Sequence, residues 1–314
     1  MKWDISSFEP RKIKPKDLCY CGSGKEYRNC HMTRDTYKPD KRLIFDKKKY
    51  VNDWQKDTEY FYEQGYYNWM ADCFFKKVNP EKILDIGCGN GNGIIELIKN
   101  EKVKNIISIE ENEYCIDNAY KRLNEKGINV KIIKRNEPIF KEKGFFNTKF
   151  TGLNDFEFAR VNIIQGDITH DKILQEYLFK QKFDAVTCWL IGTHDSFCYN
   201  IDYFESGAEN NNIYDLIVLK QLFELSDIIL NPKGYFNIVE RGEVLYTQEL
   251  MQGAVNVHKM LSSSSNIRLD EDIKFIEYKP LENGIAMTKN ITSARKDLKS
   301  EFKGYAFLSI FAMK

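Results

Sequence analysis

The chain has 314 residues, of which 42% are hydrophobic and 30% charged, a composition typical of a globular protein with a buried core. It contains no run of about 20 apolar residues, the length that a membrane-spanning helix needs, and its first residues lack an apolar signal-peptide core. We therefore expect a cytoplasmic protein without membrane contact, built from one large α/β domain and a small appendage.

The net charge of +1 conceals an uneven distribution along the chain. Residues 1–49 carry 14 Lys/Arg and 7 Asp/Glu, whereas the remainder carries 33 and 39. A basic front end on an acidic body can attract phosphate-rich or acidic partners, and it can equally be a solvated linker rich in lysine. The sequence leaves both interpretations open.

Four potential metal ligands lie close together near the N-terminus: Cys19, Cys21, Cys30 and His31. Three thiolates and one imidazole complete the tetrahedral shell of a structural Zn²⁺ and leave no position for a substrate. A segment this short has no core of its own, so metal binding would supply its folding free energy. The spacing predicts a zinc module over residues 1–32.

This segment resembles the SEC-C zinc motif, named for the C-terminal tail of the SecA translocation ATPase. The resemblance rests on the following residues: Cys19, Cys21, the turn at 22–25, Tyr27, Cys30 and His31. In that family the motif docks to other proteins, including chaperones and the ribosome. The resemblance therefore implies an adaptor role for the module and a protein partner, with ribosome association as one form of it.

Residues 33–49 are polar and basic and contain Pro39, which predicts a linker. Residues 50–77 are rich in aromatic residues and predict a helical region whose rings pack in the core. From residue 80 strand and helix patterns alternate, which predicts a doubly wound, mostly parallel sheet in a domain over 50–314. Residues 135–160 interrupt this pattern as an irregular insertion. The predicted strands are 82–86, 106–109, 128–134, 161–165, 185–191, 235–240, 273–278 and 305–311, and the predicted helices are 93–99, 113–126, 172–180, 214–230 and 247–261.

The most informative pattern is the glycine run that follows the first predicted strand. Glycines occupy positions 87, 89, 91 and 93, directly before an apolar helix, so bare backbone N–H groups can approach a nucleoside-containing cofactor. Two carboxylates follow at the next strand ends: Glu110 can accept both ribose hydroxyl hydrogens, and Asp167 can accept from an adenine amino group. The alternate-residue spacing of the glycines differs from the Gly-x-Gly-x-x-Gly pattern of dinucleotide-binding folds.

This constellation resembles the class I S-adenosylmethionine-dependent methyltransferases, with motifs spread over roughly residues 55–240. The resemblance implies a Rossmann-like fold with a seven-stranded sheet, and S-adenosylmethionine as the cofactor. It implies cofactor contacts at Tyr66, Asp85, Gly87, Cys88, Gly89, Gly91, Glu110, Glu111, Asp167, Ile168 and Trp189. Tyr66 falls where the family often contacts the methionine carboxylate, although core packing is the stronger interpretation of an aromatic residue there.

The candidate catalytic residues follow the strand predicted at 185–191. Methyltransferases that act on planar amines often carry an Asn/Asp-Pro-Pro-aromatic sequence at this point, whereas this chain has His194 and Asp195. His194 is predicted to remove a proton from a hydroxyl, carboxyl or ring-nitrogen acceptor, with Asp195 orienting the imidazole. Alternatively His194 only positions the acceptor, because alignment alone can supply much of the rate.

The sequence thus predicts a methyltransferase that acts on a macromolecular acceptor docked through its zinc module. A protein acceptor is favoured by the family use of the module. RNA is the alternative, supported by the net charge of +7 over residues 1–49. Two further hypotheses stay open: a non-catalytic interaction platform that binds the cofactor, and an enzyme that transfers a different group from it.

Overall fold

The computed structural model describes residues 13–19, 24–153, 159–208, 211–282 and 302–314. The strands in these ranges are β1 (Lys82–Ile86), β2 (Asn105–Glu110), β3 (Val130–Ile133), β4 (Asn136–Phe140), β5 (Phe146–Phe150), β6 (Val161–Gln165), β7 (Phe183–Trp189), β8 (Leu230–Glu243), β9 (Arg268–Tyr278) and β10 (Tyr305–Met313). The helices are α1 (Met32–Asp35), α2 (Pro39–Glu63), α3 (Tyr66–Lys77), α4 (Asn92–Ile98), α5 (Glu113–Glu125), α6 (Lys172–Phe179), α7 (Ile201–Glu205), α8 (Asn211–Ile229) and α9 (Gln248–Ser262).

Eight of these strands form one sheet, in the order β3-β6-β2-β1-β7-β8-β10-β9. The pairings from β3 to β8 are parallel, and β10 runs antiparallel to both of its neighbours. The predicted class, a mostly parallel α/β sheet, is confirmed. The resemblance implied seven strands, whereas the sheet has eight: the strand predicted at 128–134 is observed as β3 and pairs with β6 at the edge of the sheet.

Helices cover both faces of the sheet, as its buried strands require. Helices α2 to α5 contribute side chains to one apolar cluster, and α6, α8 and α9 contribute to a second. Within the described ranges, none of the helices combines the length and the apolar character needed to cross a bilayer.

The parallel register brings the carboxyl ends of four central strands to one edge. Ile86 at the end of β1 lies opposite Ile109 on β2 and Cys188 on β7, and Glu110 lies opposite Gln165 on β6. The glycine loop, Glu110 and the residues after β6 and β7 therefore surround the same space, which is where open α/β sheets bind ligands.

The predicted linker at 33–49 is not observed, because most of this segment is helical. Helix α2 begins at Pro39, a residue whose fixed φ suits the first helical position, and continues to Glu63. Several of its charged residues are buried: Arg42, Asp46 and Lys47. Polar composition suggested solvent exposure, but Asp46 and Lys47 meet opposite charges elsewhere in the fold, and Arg42 donates to a backbone carbonyl group.

The predicted insertion at 135–160 also has regular structure in its described part. Strands β4 and β5 form an antiparallel hairpin outside the main sheet, and residues 154–158 lie outside the described ranges. The hairpin is attached to its surroundings by a backbone bridge between Phe146 and Asn200 and by a hydrogen bond from Arg42 to the Gly144 carbonyl.

Candidate active site and metal centre

A cleft at the carboxyl edge of the sheet holds about 1060 Å³ of space between protein atoms, counting its open mouth. Five carboxyl side chains line it, and none of the described residues around it is Lys or Arg. The predicted cofactor residues on its walls are Asp85, Gly87, Cys88, Gly89, Glu110, Glu111, Asp167, Ile168 and Trp189. The cleft therefore unites most of the predicted cofactor site, and its charge suits a cationic ligand.

The glycine loop turns through backbone conformations that L-side chains rarely adopt. Gly89 has φ 48° and its N–H donates to Glu110 Oε2 at 3.1 Å. Gly91 has φ 79° and lies behind the loop rather than on the cleft wall, where a Cβ would approach Ala119 Cβ to 3.3 Å. Gly91 thus lets α4 pack closely on α5, and its predicted role as a cofactor contact is replaced by a packing role.

Glu110 is held in place by two backbone donors. Its Oε2 accepts from Gly89 N–H and its Oε1 accepts from Asn112 N–H at 3.0 Å. Burial raises the pKa of Glu110 to about 7, despite these hydrogen bonds. An oriented carboxylate at this strand end can accept from the vicinal hydroxyls of a ribose.

Asp85 lies at the centre of the sheet beneath the glycine loop. Its two carboxylate oxygens accept from Ser108 Oγ at 2.8 Å and Thr187 Oγ1 at 2.9 Å, which come from β2 and β7 on either side. Burial raises the pKa of Asp85 above its ordinary value, while the two hydroxyls act in the opposite direction. Asp85 therefore ties three strands together and places a carboxyl group at the floor of the cleft.

Asp167 lies at the other side of the cleft, after β6. Its carboxylate accepts from Thr169 N–H at 2.8 Å and lies 3.0 Å from His170 Nδ1. The His170 ring is parallel to that of Tyr214, with centroids 6.5 Å apart. These contacts orient Asp167 and the adjacent Ile168 toward the space that an adenine ring would occupy.

The aromatic residues that line the cleft differ in part from the predicted ones. Tyr66 does not line it, because its ring packs against Phe307 with centroids 5.2 Å apart; the neighbouring Tyr67 lines it instead. Tyr50 and Trp54 on α2 also line it and were missed. The aromatic pattern at 50–77 marked these residues only as core, and sequence spacing alone does not show which side of a helix meets a ligand.

The strand that leads to the candidate catalytic residues ends in an unusual conformation. Leu190 has φ 59°, a left-handed value that is uncommon for a branched side chain, and its N–H donates to Val239 O at 2.8 Å. Gly192 follows, and a Cβ there would lie 2.9 Å from Tyr50 Oη. This turn directs Thr193 and His194 into the wall of the cleft.

His194 faces a carboxylate other than the predicted one. Its Nε2 lies 3.3 Å from Glu111 Oε2, and neither ring nitrogen makes a well-aligned hydrogen bond within the described residues. Lys47 Nζ on α2 lies 2.7 Å from Glu111 Oε1 and 2.8 Å from Glu113 Oε2. Burial opposes ionisation of Glu111, but Lys47 and His194 outweigh it and hold its pKa well below the usual range.

Asp195 does not line the cleft, so the predicted orientation of His194 by Asp195 is wrong. Its Oδ2 lies 3.4 Å from His31 Nε2, on the opposite side of the loop. Adjacent residues at the start of the 3₁₀ helix Asp195–Tyr199 point in different directions, and Glu111 from the end of β2 takes the place next to His194.

Three of the four predicted metal ligands come together in the N-terminal module. Cys19 Sγ and Cys30 Sγ each lie 3.2 Å from His31 Nδ1, and the three ligand atoms lie within 4.8 Å of one another. Bond lengths of about 2.3 Å for Zn–S and 2.0 Å for Zn–N give a sulfur–nitrogen separation of about 3.5 Å in a tetrahedron. The three groups therefore fit zinc, and Cys21 lies outside the described residues.

The module is attached to the rest of the protein by a buried ion pair. Arg34 Nε donates to both oxygens of Asp46, at 2.8 and 2.9 Å, and both side chains are almost inaccessible to solvent. Ser196 Oγ donates to the same carboxylate. Asp46 on α2 therefore joins the module to the loop that carries His194.

Comparisons with known families agree with both parts of this arrangement. Residues 16–33 match the model of the SEC-C motif, and residues 79–187 match the model of a family described as "Putative methyltransferase". The second match contains the glycine loop, Glu110, Asp167 and most of β7. Both matches agree with the predicted resemblances, an SEC-C motif followed by a methyltransferase domain. No curated protein matches the chain.

Several solved structures are similar to this chain at low sequence identity. Spermidine synthase in complex with the transition-state analogue AdoDATO is 16% identical with a TM-score of 0.40, and the match covers 79% of this chain and 58% of that one. TrmN from Thermus thermophilus is 8% identical with a TM-score of 0.41, and the match covers 79% of this chain and 48% of that one. M. jannaschii TYW2 in complex with AdoMet is 14% identical with a TM-score of 0.41, and the match covers 79% of this chain and 73% of that one. The chain thus spans about half of the length of the first two proteins.

Proposed function

We propose that the protein is an S-adenosylmethionine-dependent methyltransferase whose acceptor is an amino group of another protein. The observation that carries this proposal is the convergence of the glycine loop, Glu110 and Asp167 at one sheet edge, beside a wall that presents His194. Each group separately is common in α/β proteins, but together they form a nucleoside pocket with an imidazole at its far end.

The residues present fit this cofactor. Glu110 would hold the ribose hydroxyls, Asp167 and Ile168 the adenine edge, and Asp85 would favour the cationic methionine end. When bound, the cofactor supplies a methyl group on a positively charged sulfur, which a nucleophile takes by in-line displacement. The acidic lining of the cleft complements that charge.

The charge at the acceptor end favours an amine over a phosphate-bearing acceptor. Asp215 lines this end together with Thr193, His194 and Tyr214. Lys47 is paired with Glu111 and Glu113, and Arg241 lies against the Trp54 ring, 5.0 Å from its centroid, and does not line the cleft. A polyphosphate acceptor would therefore meet a wall lined by carboxyl groups, whereas an amino group would meet a complementary wall.

His194 is placed to serve as the base. A protonated amine must lose its proton before its lone pair can form a bond to carbon, and a buried imidazole beside a carboxylate can accept that proton. Glu111 then stabilises the imidazolium that results, since it lies 3.3 Å from His194 Nε2.

A protein acceptor that docks on the zinc module would lie next to the mouth of the cleft. The module contacts the loop at Asp195, which immediately follows His194, through His31. Leu18 on the module surface is 72% exposed and offers an apolar contact. This proximity supports docking through the module as the finer part of the proposal.

The acceptor class can be tested by labelled methyl transfer. Purified protein is incubated with methyl-labelled cofactor and a lysate, and label is then measured in the protein, RNA and small-molecule fractions. We expect protease-sensitive label in the protein fraction, lost with the His194→Ala variant. RNase-sensitive label would overturn the protein acceptor, and tight cofactor binding without label in any fraction would favour a non-catalytic platform.

A further inference from the structure

One face of the loop at 193–200 belongs to the cleft and the other to the zinc module. On the cleft side, His194 and Phe197 are buried, and the Phe197 ring lies 4.6 Å from that of Tyr214. On the module side, Asp195 approaches His31 and Ser196 donates to Asp46. The loop is therefore held between the proposed acceptor site and the metal centre.

Asp195 contacts His31 in the way that a carboxylate often contacts a metal-binding histidine, at the ring nitrogen that does not bind the metal. The His31 Nδ1 atom faces the two cysteine sulfurs, so the hydrogen of the ring must be on Nε2 when a metal is bound. That Nε2 lies 3.4 Å from Asp195 Oδ2. Metal-ligating histidines usually donate this hydrogen to a carboxylate or carbonyl group.

Further contacts would carry a change at this point to the whole loop. The Arg42 guanidinium lies 3.7 Å above the Tyr199 ring, and the Arg34–Asp46 pair lies beside it. The Asp195 side chain is itself 49% exposed, so replacing it should disturb the loop without unfolding the protein. Asp195, which contacts the metal ligand His31, is the next residue in the chain after His194, so the metal centre and the candidate base are connected through adjacent residues.

We propose that Asp195 is a positioning residue through which the zinc-loaded module orders the acceptor wall of the cleft. With metal bound, His31 presents a fixed donor to Asp195, and the loop holds His194 and Phe197 in the cleft. Without metal the imidazole can change tautomer and position, so the loop keeps its contacts with Asp46 and Arg42 and loses the fixed donor to Asp195. The module would then have a structural role at the acceptor site in addition to any docking role.

The first test compares zinc-loaded protein with protein treated with a zinc chelator, by hydrogen–deuterium exchange and mass spectrometry. Amides in 193–200 should exchange at least tenfold faster after zinc removal, whereas those of β6 at the far side of the cleft should not change. Unchanged exchange in 193–200, with zinc removal verified, would overturn the proposal.

The second test keeps the metal and changes the carboxylate. Asp195→Ala should accelerate exchange in 193–200 several-fold and release zinc several-fold faster to a chromophoric chelator. Asp195→Asn retains an acceptor oxygen and should restore most of both values. Asp17→Asn is the matched control, because Asp17 lies in the module and its side chain accepts a hydrogen bond from the Lys14 N–H, within the module itself.

These measurements separate this proposal from the proposed function. Loop exchange and zinc release do not require methyl transfer, so zinc-dependent ordering without any labelled product would support the positioning role and contradict the activity. If zinc removal unfolds the module as a whole, the zinc-loaded Asp195→Ala protein decides the question. An exchange rate in 193–200 of this variant equal to that of the wild-type protein would contradict the proposal.

Discussion

The cofactor end of the cleft and its acceptor end are assembled from different kinds of structure. The cofactor end consists of strand ends and the turns directly after them: hydroxyl groups of the neighbouring strands hold Asp85, and backbone N–H groups of nearby turns hold Glu110 and Asp167. The acceptor end combines the turn after β7, the end of β2, helix α2 and, behind the loop, the zinc module. The first depends on a regular sheet, and the second depends on contacts between segments far apart in the chain.

Because of this difference, substitutions at the two ends should affect different properties of the protein. Damage at the cofactor end should reduce cofactor affinity, because the groups that bind the cofactor are direct extensions of the sheet. Damage at the acceptor end should reduce turnover or loop order while cofactor affinity persists. Four variants or conditions test this division, beginning with the largest expected effect.

His194→Ala should lower kcat by about 10² to 10⁴, the usual contribution of a positioned acid or base. The dissociation constant of S-adenosylmethionine, measured by calorimetry, should stay within about twofold of wild type. A loss of cofactor affinity as large as the loss of turnover would remove the distinction between the two ends. Turnover close to wild type would favour the alternative in which alignment alone drives the transfer.

Asp85→Ala should weaken cofactor binding by about 100-fold. It removes a buried carboxylate that accepts two hydroxyl hydrogen bonds, each worth about 1.5–3 kcal/mol, and it leaves Ser108 and Thr187 without that partner. Ser108→Ala is the control, since it removes one hydrogen bond and keeps the carboxylate. Binding equal to wild type in a folded Asp85→Ala protein would contradict the assigned pocket.

Lys47→Met should destabilise the protein by about 2 kcal/mol, measured as the free energy of unfolding in urea. Loss of one partner of a buried pair costs about 3–5 kcal/mol, and partial exposure of Glu111 and Glu113 reduces this value. Lys48→Met, one position along α2 at an exposed site, should have little effect. Equal stability of both variants would show that Lys47 does not hold the acceptor end together.

Cofactor affinity should depend on pH through Glu110, whose pKa in the free cleft is raised to about 7 by burial. Below this pH the carboxyl group is protonated in the free protein and loses acceptor capacity, so the dissociation constant should rise by up to about tenfold per pH unit. Above it the constant should level off. Glu110→Gln should flatten this profile, and an unchanged pH dependence in that variant would assign it to another group.

Local patterns predicted much of the fold and of the cofactor end. The βα alternation predicted the central strands, because the apolar strands of a parallel sheet are buried on both faces. Glu110 and Asp167 were predicted from their positions at strand ends, which parallel pairing brings to one edge. Tyr66 packs against Phe307, as the stronger of its two interpretations predicted, and Tyr67 lines the cleft instead, since a one-residue shift on a helix changes the side that a ring faces by about 100°.

The acceptor end could not be predicted from the same signals. Segment 33–49 has the composition of a linker, and only the placement of Arg34, Glu111 and Glu113 shows why Asp46 and Lys47 are buried. These pairs connect residues from 12 to 66 positions apart, and no local pattern identifies such partners.

The sequence by itself determined two elements of this protein: a nucleoside-binding sheet edge and a Cys/His metal motif. Both depend on short spacings, because a turn or a metal shell is built from residues close in the chain. Only the tertiary structure decided that the two meet at one loop, with His194 directed into the cleft and Asp195 toward His31. That arrangement follows from the packing of α2 against the sheet, which places the module beside the turn after β7.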